Sequence, residues 1–131
     1  MKKQNTNPAK PAGLRALGNK VTKFTGIETF PKPPRVSLVV CKSDEVTALC
    51  PVTDQPDWYQ VEVIYEPDKR CVESKSLKLY YHSLRNTGAF GETLASSILK
   101  TLASAIRPFS MVVKVTQKAR GGISIESTAT L

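Results

Sequence analysis

At 131 residues, with 40% hydrophobic content, the chain has the size of one domain and enough apolar material for a modest core. No apolar run approaches the ~18 residues of a membrane-spanning helix, and the lysine-rich start lacks the apolar stretch of a signal peptide, so a soluble, cytoplasmic protein is expected, with no membrane partner. The three cysteines, Cys41, Cys50 and Cys71, form an odd set with no Cys-x-x-Cys pair, which argues against a disulfide framework; with the single histidine, His82, they offer no closely spaced ligand pair, so no metal is expected either.

The net charge of +8 invites a nucleic-acid reading, but its distribution weakens it. Residues 1–27 carry Lys2, Lys3, Lys10, Arg15, Lys20 and Lys23 with no acid, which leaves residues 28–131 close to neutral. An arm this rich in Lys, Asn, Pro and Gly buries little and is expected to be largely disordered, at least through Ala12. It reads first as a solubilising tail and second as a site of transient RNA contact through counterion release.

After the arm, Arg35 to Cys41 holds the apolar run Val36-Ser37-Leu38-Val39-Val40, long enough for a strand. The stretch from Cys50 to Asp57 contains Pro51 and Pro56, which fix φ and remove backbone donors, so it reads as a stiff turn entering a strand. Trp58 to Tyr65 alternates, with Tyr59, Val61, Val63 and Tyr65 on one face, until Glu66-Pro67-Asp68 ends it. From Glu73, the residues Leu77, Tyr80, Tyr81 and Leu84 make the stripe of an amphipathic helix ending near Asn86 and Gly88. A second helix is expected from Phe90 to Ile106, with Leu94, Ile98, Leu102 and Ala105 or Ile106 inward and Pro108 stopping it. Met111 to Val115 and Ile123 to Ile125 then read as strands joined through Arg120-Gly121-Gly122. The order ββααββ argues for an α+β domain in which both helices cover one face of a four-stranded antiparallel sheet. Such a sheet leaves its edges and its other face to a neighbour, so assembly is expected.

The most chemically suggestive pair is Cys50 and Asp57, seven residues apart in one loop. A thiol attacks only when its pKa is lowered, and it needs a nearby acid to protonate what it attacks. Taken alone, a Cys beside a Pro-rich turn is more often a small buried hydrophobe, with the Asp as a turn or strand cap.

A second string changes that weighting. Val72-Glu73-Ser74-Lys75-Ser76-Leu77-Lys78-Leu79-Tyr80, taken with Cys50-Pro51-Val52-Thr53-Asp54-Gln55-Pro56-Asp57, resembles the 7-cyano-7-deazaguanine reductases, the tunnel-fold nitrile reductases of queuosine biosynthesis. The resemblance runs from Glu28-Thr29-Phe30-Pro31 to Gly122-Ile123-Ser124-Ile125. It implies a tunnel fold whose subunits join edge to edge, in the small members as two stacked pentamers with active sites between subunits. It also implies that Cys50 attacks the nitrile carbon to form a thioimide and that Asp57 protonates the nitrile nitrogen. Glu73 and Glu92 would accept from the donor edge of the deazaguanine, beside Ser74 and Phe90. NADPH would be held by Lys75, Lys78, Arg120, Gly121 and Gly122. Without the motif, Glu73 and Glu92 are ordinary acids at helix N-termini, and the lysines a solvated helix face.

Four positions depart from the family pattern. Gly91 stands where a histidine precedes the glutamate, Thr87-Gly88-Ala89 stands for His-Gly-Asp, and Asp54 replaces a glycine in the Cys50 loop. Two other functions stay open. One is an archaeosine-synthase-like amidinotransferase acting on nitrile-bearing tRNA, whose archaeal members lack the segment that is intact here from Glu73 to Lys78. The other is a non-catalytic purine- or pterin-binding tunnel-fold protein, against which the presence of both Cys50 and Asp57 argues.

Overall fold

The computed structural model describes residue 20 and residues 22–131. Most of the basic arm therefore lies outside the described residues. Contacts of the folded body begin upstream of Glu28, where Phe24 stacks on Tyr80 with ring centroids 5.1 Å apart and Ile27 packs against the core.

Six strands and two helices follow in the order β1 (Thr29–Pro31), β2 (Val39–Leu49), β3 (Pro56–Glu66), β4 (Arg70–Val72), α1 (Ser74–Ser83), α2 (Gly91–Ile106), β5 (Ser110–Arg120) and β6 (Ile123–Thr130), with a 3-10 turn at Leu84–Asn86 extending α1. The main sheet is four-stranded and antiparallel in the order β2-β3-β5-β6, and β1 pairs with β4 in a separate two-stranded ribbon that the sequence reading did not anticipate. The α+β class, the four strands and the two helices on one face are as expected. Tyr59, Val61, Val63 and Tyr65 of β3 and Met111, Val113 and Val115 of β5 are all buried in the core shared with α2, while Trp58 on the opposite face is 53% exposed.

Two boundaries differ from expectation for physical reasons. The apolar run at Val36–Val40 is not itself the first strand. Arg35 takes a left-handed φ of 71° and the Val36 N–H closes a turn onto the Pro33 carbonyl at 3.4 Å, so pairing starts only at Val39. That strand then runs on through Lys42-Ser43-Asp44-Glu45, because its ladder with β3 continues from Val39↔Tyr65 to Leu49↔Pro56, with a register shift between Ser43 and Val46. Backbone pairing here overrides side-chain polarity, as it does for Ser127 and Thr128 in the long β5–β6 ladder.

The helices end where their residues dictate. Leu94, Ile98, Leu102 and Ile106 of α2 are each no more than 2% exposed, and burial of each such side chain contributes about 1.5–3 kcal/mol. Arg107 terminates α2 in a left-handed conformation, φ 51°, with its N–H on the Ala103 carbonyl at 2.9 Å, one residue before Pro108. Leu77, Tyr80, Tyr81 and Leu84 all face inward, as their spacing predicts.

Candidate active site

The loop joining β2 to β3 carries Cys50 and delivers Asp57 onto β3. It is closed by the Cys50 N–H donating to the Gln55 carbonyl at 2.8 Å and the Asp54 N–H donating to the Cys50 carbonyl at 2.9 Å. Asp54 has a φ of 54°, a left-handed conformation that glycine adopts freely and that Asp tolerates better than most residues. That conformation accounts for the glycine of the family pattern and shows how the loop closes without it.

The loop is tied to the α1–α2 connection as well. The Leu49 N–H donates to the Thr87 carbonyl at 2.9 Å, and the Ala89 N–H donates to the Leu49 carbonyl at 3.0 Å, a short parallel bridge. Cys50 is thereby held beside the segment that leads into α2, where Phe90 is the N-cap, Gly91 opens the helix and Glu92 is the acid of the first turn.

Around the thiol the electrostatics favour the anion. Hydrogen bonding from the Thr53 hydroxyl, then from the Val52 and Thr53 backbone, draws the Cys50 pKa below its ordinary value against a smaller opposing effect of burial, and Arg120 adds to the lowering. Asp57 is 5% exposed. Its Oδ1 accepts from Arg120 Nη1 at 2.7 Å. Gln117, with its amide oxygen turned toward the guanidinium, accepts from Arg120 Nε at 2.9 Å. Arg120 itself is 57% exposed, so it covers the cluster from the solvent side. Sequence reasoning assigned this arginine to the cofactor; in the folded chain it touches Asp57. Next to it, Gly121 and Gly122 form the β5–β6 turn with φ of 59° and 78° and open space where side chains would stand.

The groups of the α1 segment sit elsewhere. Glu73 caps α1, its two carboxylate oxygens each accepting at 2.7 Å from the N–H groups of Lys75 and Ser76. A capped carboxylate keeps lone pairs for further donors. Ser74 and Lys78 line a cavity of about 630 Å³ walled by Phe30, Val39, Tyr65, Leu77 and Tyr81. Cys50, Asp57 and Arg120 do not line it. Within one chain, the predicted residues therefore fall into two groups: Cys50, Asp57, Arg120, Gly121 and Gly122 with Phe90 and Glu92 near the loop, and Glu73, Ser74, Lys75 and Lys78 on α1.

One neighbour of the thiol was read from sequence only as a core strand residue. The Tyr59 side chain, 0% exposed, lies within electrostatic reach of Asp57, Arg120, Cys50 and Glu92, and its hydroxyl has no hydrogen-bond partner among the described residues. Its pKa is pushed up to about 12 by burial first and then by the charge of Asp57, with Cys50 and Glu92 acting in the same direction and Arg120 against it. Period-2 alternation marked Tyr59 as buried but carried no signal that its hydroxyl would end among charged groups.

The family described as QueF-like protein matches residues 56–130. Among curated proteins, the NADPH-dependent 7-cyano-7-deazaguanine reductase of Frankia casuarinae is 39% identical over 118 residues, covering 89% of this chain and 94% of the relative. The enzyme of the same description from Syntrophus aciditrophicus is 39% identical over 124 residues, covering 93% of this chain and 89% of the relative. That from Alkalilimnicola ehrlichii is 46% identical over 99 residues, covering 74% and 77%. Among solved structures, the archaeosine synthase QueF-Like in its apo form superposes with a TM-score of 0.69 at 27% identity, covering 76% of this chain and 95% of the other.

Proposed function

The chain belongs to the QueF-like family, and from that premise we propose that it is an NADPH-dependent oxidoreductase reducing the nitrile of 7-cyano-7-deazaguanine to the aminomethyl group, the nitrile-reducing step of queuosine biosynthesis. The observation that carries the reading is a thiol of lowered pKa, Cys50, in the β2–β3 loop, with a buried carboxylate, Asp57, at the start of the strand that the loop enters. A nitrile carbon needs a soft nucleophile, and its nitrogen needs a proton as the bond order falls. Sγ of Cys50 attacks the carbon, forming a C–S bond; the thiol proton passes through Asp57 to the nitrogen, giving a thioimide with no proton gained or lost overall. When bound, NADPH supplies hydride to that carbon, and complete reduction to the amine consumes two hydrides and two protons.

The residues present suit such a cofactor. Lys78 on the cavity rim, with Lys75 one turn away, can meet phosphates, and the open Gly121-Gly122 turn lets backbone approach a ligand closely. Glu92, near the thiol cluster, accepts from the ring N–H and amino groups of the base, with Phe90 beside it. Glu73 and Ser74 belong to the α1 group, which a second copy brings to the Cys50 loop. The outer edges of β6 and of β2 ahead of Leu49, unpaired among the described residues, support that assembly, as do exposed apolar residues near them, Val40 at 43% and Ile123 at 68%. Two stacked pentamers with active sites between subunits are the arrangement proposed. Among the described residues no helix is long and apolar enough to cross a membrane, and Cys41, Cys50 and Cys71 are all free thiols, which supports a cytoplasmic setting.

The likeness to the archaeosine synthase structure favours one second reading, transfer of ammonia to a nitrile-bearing tRNA through the same thioimide. One comparison separates them. Purified protein with the free nitrile base and NADPH is expected to consume the cofactor, followed by its absorbance. Absence of oxidation together with ammonia incorporation into nitrile-bearing tRNA would overturn the reductase reading.

A further inference from the structure

Tyr59 is an expensive residue to bury as it stands. A phenol hydroxyl removed from water without a partner is destabilising relative to phenylalanine, and native proteins retain such groups where something else meets them. This one is fully buried, unpartnered among the described residues, and within electrostatic reach of Asp57, Arg120, Cys50 and Glu92. Its ring also shapes the start of α2: a Cβ on Gly91 would stand 3.3 Å from Tyr59 Cε1, tighter than ordinary contact. The phenol therefore takes the volume that a side chain at residue 91 would use.

The chemistry of the base proposed above says what this hydroxyl meets. On a 7-deazaguanine ring the perimeter runs from the amino group to the ring N–H, then the carbonyl oxygen, then the carbon bearing the nitrile. A ring whose N–H edge faces Glu92 and whose nitrile faces Cys50 therefore presents its carbonyl oxygen between the two. We infer that the Tyr59 hydroxyl donates a hydrogen bond to that carbonyl oxygen, making Tyr59 a specificity-determining residue that selects a 6-oxo over a 6-amino purine. This rests on the reductase reading of the site. The hydroxyl stays protonated across the working pH range, because its pKa is raised to about 12, so it is a constant donor.

The test uses the full chain in a Cys50→Ala background, where binding is measured without covalent capture. Titration calorimetry with 7-cyano-7-deazaguanine and with its 6-amino counterpart is compared for Cys50→Ala and for Cys50→Ala with Tyr59→Phe. Expected is a loss of about 10- to 100-fold in affinity for the 6-oxo base on removing the hydroxyl, little change for the 6-amino base, and a thermal midpoint unchanged or raised. Gly91→Ala, which crowds the ring, is expected to weaken 6-oxo binding when Tyr59 is present and to do so far less in the Tyr59→Phe background, the coupling of a double-mutant cycle. Unchanged 6-oxo affinity in Tyr59→Phe, or equal losses for both bases, overturns the inference. Failure of the Cys50→Ala protein to bind the 6-oxo base at all instead overturns the reductase reading on which it rests.

Discussion

Replacing Arg120 by alanine separates two roles that one arginine could hold. Its guanidinium donates to Asp57 Oδ1 at 2.7 Å, and the carboxylate is only 6% exposed while the arginine side chain is 57% exposed. Stripping the partner from a fully buried charge costs about 3–5 kcal/mol, and an exposed pair is worth about 0–1 kcal/mol. With one member buried and one wet, an intermediate loss of about 1–2 kcal/mol is expected, and about 5- to 30-fold in rate if that charge is organised for proton transfer. Arg120 also contributes to lowering the Cys50 pKa, so the variant loses some thiolate as well. The assay is the rate of adduct formation with the nitrile base in the absence of NADPH, read as intact protein mass against time, beside a separate measurement of the NADPH KM. An adduct rate equal to that of the native protein, with only the NADPH KM raised, would refute the assignment of Arg120 to the thiol–carboxylate cluster and return it to the cofactor alone.

Other expected outcomes follow from the same contacts. Cys50→Ala should show no adduct by mass, and Asp57→Asn should lose adduct formation almost as completely; an adduct retained by Asp57→Asn would leave Asp57 only the structural partner of Arg120. The adduct rate should fall at high pH with an inflection at the lowered Cys50 pKa, above which the proton that Asp57 relays to the nitrogen is already lost. Thr53→Ala removes the largest cause of that lowering, so the inflection should move to higher pH, and an unmoved inflection would deny Thr53 that role. Ile98→Ala, at a site with 0% exposure in the core under α2, should cost about 2–5 kcal/mol in urea unfolding.

How far the sequence carried can be judged element by element. Helical spacing placed Leu77, Tyr80, Tyr81, Leu84, Leu94, Ile98 and Leu102 inward, and all are buried, because an amphipathic stripe has one way to face a core. Strand alternation did the same for Tyr59, Val61, Val63 and Tyr65. What sequence could not carry was pairing. The extension of β2 through Lys42-Ser43-Asp44-Glu45, and the β1–β4 ribbon joining residues about forty positions apart, depend on long-range hydrogen bonds that leave no local periodicity. At the site, the stretch from Cys50 to Asp57 was legible as a motif, whereas the Arg120–Asp57 pair spans 63 residues and no spacing rule links its ends. The Gly91 departure was visible in sequence as a missing side chain; that Tyr59 fills the same volume emerges only from the 3.3 Å approach across two elements.

The way the loop is anchored bears on how attack and recognition stay matched. Cys50 follows directly on Leu49, and Leu49 exchanges backbone hydrogen bonds at 2.9 and 3.0 Å with Thr87 and Ala89, two residues before the first turn of α2 begins. The strand end that leads into Cys50 and the helix start that carries Glu92 are thus clamped to one another by main chain rather than by side chains. Side-chain substitution nearby leaves such a clamp in place. On the function proposed above, a base held at its N–H edge by Glu92 would meet the thiol at a separation set by that bridge, and an effective nucleophile depends on holding reacting atoms to within a fraction of an ångström. The departures at Thr87 and Ala89 lie on the bridge itself and that at Gly91 follows it, and because main-chain groups make the bridge these changes of side chain leave the clamp intact. On the proposed reading they therefore bear on which base is accepted before they bear on the reach of the thiol.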